Sequence, residues 1–311
     1  MSVSSEKQQL VEPPELPRPG AKELIDLLPR TNWRERSFAY WAERQLCAND
    51  PWWRPLSSAV VGVSTSAMSL FLALGFHKVV VEDLHKLTDV IEAQRDRPVI
   101  TIANHESTMD DPTMWGIMPT RMRWNPDYTR WTLGAQELLY KNPPLNAFFA
   151  LGQTIPTIRG DGIYQLAVEI GIQRLRENKW LHVFPEGKVN QDESIGRFKW
   201  GVGRLIMESE RVPIVLPIFF TGMKEIMPLS QKVPVPRPNP FKSTLYLKVG
   251  DEIDFTAQIE EWKDARAKLS SAKEKNQLDE LVRIAVVDRL WASLDSLKAE
   301  STAAIAHGAL D

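Results

Sequence analysis

His105 and Asp110 stand five residues apart, directly after the apolar run Val99-Ile-Thr-Ile-Ala103. A histidine on the turn leaving a strand, with a carboxylate in the opening of the next helix, can have one ring nitrogen held by that carboxylate. The other nitrogen is then free to accept a proton from a hydroxyl, which is how a catalytic dyad is oriented. Taken alone, the spacing fits a histidine that only satisfies its packing equally well.

Three further blocks bear on the choice. Gly152-Gln-Thr-Ile-Pro-Thr-Ile-Arg159 reads as a short strand ending in an arginine, whose planar guanidinium suits bidentate phosphate binding; a surface salt bridge is the plainer alternative. Phe184-Pro-Glu-Gly187 is a sharp turn after a strand that offers the carboxylate of Glu186, or merely a capping group. Val212-Pro-Ile-Val-Leu-Pro217 is an apolar strand with proline near both ends. Lys188, Arg197, Lys199 and Arg204 make a locally basic stretch suited to anionic head groups, although each could equally be a solvated surface charge.

Other chemistries are excluded by inspection. His105-Glu106 would open a zinc-protease motif, but the second histidine it needs is Met109. The segment around Gly62 to Ser66 has no nucleophile elbow, and Gly201-Val-Gly203 lacks the third glycine of a dinucleotide loop, so it reads as a tight turn into a helix. The single cysteine, Cys47, and the absence of a Cys/His cluster argue against a disulfide or zinc-centred design.

In this order, the four blocks resemble the motifs of the glycerolipid acyltransferase family over roughly residues 95 to 225. The sequences His105-Glu-Ser-Thr-Met-Asp-Asp-Pro112 and Trp180-Leu-His-Val-Phe-Pro-Glu-Gly-Lys-Val-Asn190 are most similar to its branch of phospholipid–lysophospholipid transacylases. So is Arg197-Phe-Lys-Trp-Gly-Val-Gly-Arg204. The acyl-CoA-dependent branch usually continues the Glu-Gly turn with Ser or Thr and then Arg, where this chain has Lys188 and Val189.

The resemblance implies a mixed α/β sheet flanked by helices and a His105/Asp110 dyad. It places Asn104, Arg159, Glu186, Gly187 and Lys188 at the substrate. It further implies acyl exchange between phosphatidylcholine and lysocardiolipin or similar lipids, without CoA, cofactor or metal, on mitochondrial membranes facing the intermembrane space. An acyl-CoA-dependent lysophospholipid or glycerol-phosphate acyltransferase is the alternative.

The elements that must position these residues are partly visible. Strands are predicted at Pro98 to Ala103, Trp131 to Gly134, Thr154 to Arg159, Trp180 to Phe184, Val212 to Phe220 and Thr244 to Val249. With a helix over Gly162 to Asn178, that alternation indicates an α/β sheet domain. Residues 21 to 50 show helical spacing, Met227 to Pro240 read as a proline-dense loop, and residues 256 to 300 as two charged amphipathic helices.

From Leu56 to Phe76 there are 21 residues without a charge, about 31 Å as a helix and long enough for a bilayer core. Six hydroxyls interrupt it, and Ser58, Gly62, Thr65 and Ser69 share one small-residue face. Trp33, Trp41, Trp52 and Trp53 lie upstream, as at a membrane interface. These features predict a monotopic helix with protein on one side and lipid on the other; a buried core helix has the same length.

The resulting division is an arm and helix (1–50), a membrane-associated segment (51–78), the acyltransferase domain (79–255) and C-terminal helices (256–311). Lys plus Arg number 38 against 40 Asp plus Glu, a net charge of -2, so no global field favours nucleic acid. The first twenty residues hold three glutamates and four prolines, unlike a cleaved presequence.

Overall fold

The computed structural model describes residues 20–47, 51–93, 96–230, 236–237 and 239–307. The chain opens with α1 (Ala21–Asp26), α2 (Trp33–Leu46) and α3 (Trp53–Gly75). It continues through β1 (Phe76–Glu82), α4 (Leu84–Glu92), β2 (Val99–Ala103), α5 (Asp110–Gly116), α6 (Thr120–Arg123), β3 (Trp131–Ala135), α7 (Gln136–Leu139), α8 (Pro143–Leu151) and β4 (Thr154–Thr157). The remainder is α9 (Leu166–Arg176), β5 (Trp180–Val183), α10 (Gly201–Met207), β6 (Ile214–Thr221), α11 (Met223–Ile226), β7 (Asn239–Val249), α12 (Thr256–Lys268) and α13 (Ala272–Ala306). Apart from Gly20, the expected N-terminal arm lies outside the described residues.

The strands form one mixed sheet in the order β1-β7-β6-β2-β5-β3-β4. β6, β2, β5, β3 and β4 run parallel, whereas β7 is antiparallel to β6 and β1 parallel to β7. β2 is central and wholly buried, so it reads as continuous Val-Ile-Thr-Ile-Ala instead of alternating apolar and polar. Its side chains still alternate in destination. Ile100 and Ile102 enter the core shared with α9, α10 and α13, while Val99 and Ala103 face the core under α3, α4 and α5.

Pro217 lies inside β6 and pairs with Ile102. Its carbonyl accepts from Gly250 N at 2.8 Å, just beyond the end of β7. The missing N–H therefore falls where the ladder to β7 stops, which is how a proline is accommodated beside a central strand.

Two expectations shift. The helix anticipated over residues 21 to 50 is broken at Pro29 into α1 and α2, because proline disfavours helix in the residue before it. Asn32 then starts α2, its side chain accepting from Arg34 N and Glu35 N at 3.0 and 3.1 Å. The expected boundary at residues 78/79 falls inside β1, since the chain leaves α3 at Gly75 and joins the sheet at Phe76.

Helix α3 is long and apolar enough to cross a bilayer on length and composition. Its small-residue face packs on protein. Ser57 donates to Leu151 O at 2.7 Å, Ser58 donates to Trp124 O, and Thr65 donates back to Val61 O at 2.8 Å. A Cβ on Gly62 would run into the Trp124 ring, and one on Gly116 of α5 would stand 2.9 Å from the Met68 and Ser69 main chain. Leu56, Val63, Leu70 and Leu74, on the other side, are each more than half exposed.

Candidate active site

Parallel β2, β5, β3 and β4 end on one edge of the sheet, together with β6. Such an edge, where neighbouring connections diverge, is where open α/β sheets place ligands. The turn after β2 is fixed first by Asn104, whose amide donates to Phe220 O at 2.7 Å and accepts from Phe220 N at 3.0 Å. Asn104 is buried with both polar atoms committed to β6, so what it offers is a rigid exit for the strand.

His105 follows, with its side chain 17% exposed, and Asp110 at the start of α5 is fully buried. Asp110 Oδ2 lies 3.0 Å from His105 Nδ1 and also accepts the main-chain N–H groups of Glu106 and Ser107, at 2.6 and 2.8 Å. An ionised carboxylate only accepts, so Nδ1 carries the proton and Nε2 presents a lone pair. The imidazole stacks on Phe184, with ring centroids 4.1 Å apart and planes within 20°.

Burial pushes Asp110 above the ordinary carboxylate range, against the pull of the His105 hydrogen bond and the two main-chain N–H groups. Its Oδ1 is buried with no donor. The buried carboxylate oxygen and the Phe184 ring together hold the imidazole in one orientation, as a general base requires.

Glu186 reaches this turn from the one that follows β5. Its Oε1 accepts from His105 N at 3.3 Å, and Oε2 accepts from Asn190 Nδ2 at 2.7 Å and Gly196 N at 2.8 Å. Gly187 has φ +68°, a left-handed conformation that suits glycine, and a Cβ there would stand 3.3 Å from Lys199 Cγ. Lys188, Arg197 and Lys199 are exposed.

Arg204 does not share that surface. It is buried, bonded to Glu208, Glu169 and Ile163 O and laid over Tyr164. The expected basic stretch therefore loses Arg204, because its partners come from α9 and from one helical turn along its own chain.

Arg159 lies two residues beyond β4, half-exposed, with its Nε 3.2 Å from Glu137 Oε1. Gln165 shapes its turn by accepting from Ile158 N and donating to Ile158 O and Gly162 O. β4 is three strands from β2, which places Arg159 about 14 Å along the edge from His105. The structure thus brings His105, Asp110, Glu186 and Asn104 together, leaves Gly187 and Lys188 beside them, and holds Arg159 at a distance.

Several contributors carry no mark in the sequence. Glu106 is buried against Thr221 Oγ1 (2.8 Å) and Gly222 N (3.1 Å), its carboxyl pushed up by burial. Asp111 accepts from Trp115 Nε1 at 3.0 Å and pairs with Arg130. Burial pushes its carboxyl up, but Arg130 outweighs this and holds it low. His182 sits under Phe184 with Nδ1 2.8 Å from Thr101 Oγ1, and burial drives its pKa down to about 3, so it is neutral. Little local flags these groups, since every partner but Trp115 and Phe184 is distant in sequence.

Residues 78–221 match the acyltransferase family. The chain is 45% identical over 186 residues to a Dictyostelium discoideum protein named taffazin, covering 58% of this chain and 64% of that one. It is 38% identical over 207 residues to an Arabidopsis thaliana N-acylphosphatidylethanolamine synthase, covering 65% and 71%. It is 30% identical over 276 residues to tafazzin of Saccharomyces cerevisiae, covering 74% and 72%. The match thus spans under two thirds of the Dictyostelium protein's length but more than two thirds of the other two. The chain therefore belongs to the acyltransferase family, in the group of the tafazzins.

Proposed function

We propose that this protein is a CoA-independent transacylase that moves fatty acyl chains between phospholipids and lysophospholipids, with lysocardiolipin and phosphatidylcholine as acceptor and donor. The observation that carries this reading is the oriented imidazole, with Nδ1 donating to buried Asp110 and Nε2 directed away from it. His105 Nε2 takes the proton of the lysolipid hydroxyl, and the oxygen attacks the acyl carbonyl of the donor. When the tetrahedral adduct collapses, the donor's C–O ester bond breaks and the imidazolium returns its proton to the departing alkoxide. One ester is exchanged for another, so the step is close to thermoneutral, and Asp110 stabilises the transient imidazolium.

In this reading Arg159 meets a lipid phosphate, and Lys188 with Gly187 borders the head group. Glu186 and Asn104 act at the substrate through the turn that carries His105. The exposed stripe of α3 spans about 27 Å from Leu56 to Leu74, and it lies in one leaflet as a monotopic attachment. The membrane segment is then α3, followed by the acyltransferase unit and the C-terminal helices α12 and α13. The site faces the mitochondrial intermembrane space.

The test is transfer of labelled acyl chain from phosphatidylcholine to lysocardiolipin in liposomes, without CoA, by the wild type and by His105→Ala. Transfer lost in the variant is expected. Transfer only on adding acyl-CoA would make the enzyme acyl-CoA-dependent. The Arabidopsis relative's name points to an amine acceptor, so phosphatidylethanolamine belongs in the same assay, where N-acylation in place of ester exchange would displace the proposal.

A further inference from the structure

The C-terminal helix α13 reaches the turn that carries the dyad through one loop. Trp291 Nε1 donates to Ile195 O at 3.4 Å, and Lys298 Nζ donates to Glu193 O. The side chain of Ile195 is buried in the same core cluster as Leu290 and Leu294 of α13. The loop is therefore pinned at residues 193–195 by two side-chain donors of α13 on its carbonyls and by one buried side chain.

From that pin the contacts run inward without a break. Asn190 Nδ2 donates to Ser194 O at 2.9 Å and to Glu186 Oε2 at 2.7 Å, and Gly196 N donates to the same Glu186 oxygen at 2.8 Å. A Cβ at Gly196 would stand 2.7 Å from that oxygen, so the loop approaches Glu186 as only glycine allows. Glu186 then accepts from His105 N, while Asn190 N donates to His105 O at 2.6 Å and Gln191 Nε2 donates to Glu106 O at 2.8 Å. The main chain of His105 is thus held on both sides by residues 186–191 of a loop whose far end rests on α13.

Asp110 and Phe184 fix the direction of the imidazole, and the main chain fixes where it starts. A base must lie within hydrogen-bond reach of the proton it removes, and misplacement by about 1 Å costs up to about a hundredfold in rate. We propose that Trp291 and Lys298 are positioning residues for His105, acting through Glu193–Gly196 and Glu186. Only the kinetic half of the test depends on the transacylase reading.

That test compares full-length wild type with Trp291→Phe/Lys298→Met, with Trp291→Phe/Lys298→Arg and with Gly196→Ala in detergent micelles and liposomes. The kinetic readouts are kcat and KM for acyl transfer. The structural readout is the His105 ring signal by NMR, assigned by its loss in His105→Gln. In the Met double variant kcat is expected to fall about tenfold with KM changed less than about twofold, and the His105 signal to move. Arginine at 298 restores most of both, and Gly196→Ala moves both with α13 untouched.

The proposal is overturned if the His105 signal and kcat match wild type in the Met double variant, or if Gly196→Ala leaves both unmoved. It is also overturned if kcat falls only in proportion to the folded fraction, with the His105 signal unmoved. A wild type that transfers no acyl chain would defeat the transacylase reading alone, with the His105 signal still deciding the positioning.

Discussion

Asp110 meets His105 with the same carboxylate oxygen that accepts the main-chain N–H groups of Glu106 and Ser107, while its other oxygen is buried without a donor. One oxygen thus sets the imidazole tautomer and the shape of the turn together. The Asp110→Asn variant should keep the fold and lose transfer by about 10³–10⁴-fold, because the wrong tautomer can then be presented.

The same residue carries a stability signature. Burial raises the carboxyl in the folded state, so its contribution is fully present below the unfolded carboxylate range and is lost as pH rises through the raised value. Relative to wild type, Asp110→Asn should therefore gain thermal stability as pH rises out of the ordinary carboxylate range. Melting temperatures across that rise decide it, and a variant that loses ground as pH rises would contradict the assignment.

His182 acts in the opposite direction. With a folded pKa of about 3, it resists the proton that the unfolded chain takes up below about pH 6.5. Stability should fall as pH drops from there toward 3, by a total of order 4–5 kcal/mol. Asp111, held low by Arg130, keeps its contribution until the pH passes below the ordinary carboxylate range, so the upper part of the window belongs to His182. Unfolding of His182→Gln in denaturant should show a shallower pH dependence between 6.5 and 4.

The exposed stripe of α3 makes a separable prediction. Glutamate at Val63 and at Leu70 should weaken flotation with liposomes by tenfold or more, since burying such a side chain is worth about 1.5–3 kcal/mol. The melting temperature should stay near wild type, because both positions are more than half exposed. Equal flotation of wild type and variant would remove the stripe from the membrane.

Gly116→Ala should cost about 1–3 kcal/mol, as overpacking does. The obstruction is main chain of α3 and not a side chain that can swing away. Thermal melting reads this directly, and an unchanged midpoint would mean the two helices separate at little cost.

The His105–Asp110 contact was legible because the two residues lie close together just after β2, which is apolar enough to announce a buried parallel strand. β1 was not, since its first residue, Phe76, ends the uncharged run of α3 and the polar His77 and Lys78 follow. Arg204 looked like surface charge because Glu169 lies 35 residues away. The framework around Glu186 was equally hidden: Asn190 and Gly196 are unremarkable in sequence, and only folding brings them to one oxygen.

The close contact of Gly116 with Met68 and Ser69 links two ends of the design. Asp110 and Gly116 are the first and last residues of α5, about 9 Å apart along its axis. On the proposed seating of α3 in a leaflet, that short rigid arm would work as a depth gauge, the height at which the stripe settles setting the height of the His105 imidazole. The expected consequence is that esters at one level of the bilayer are addressed and those deeper or shallower are passed over.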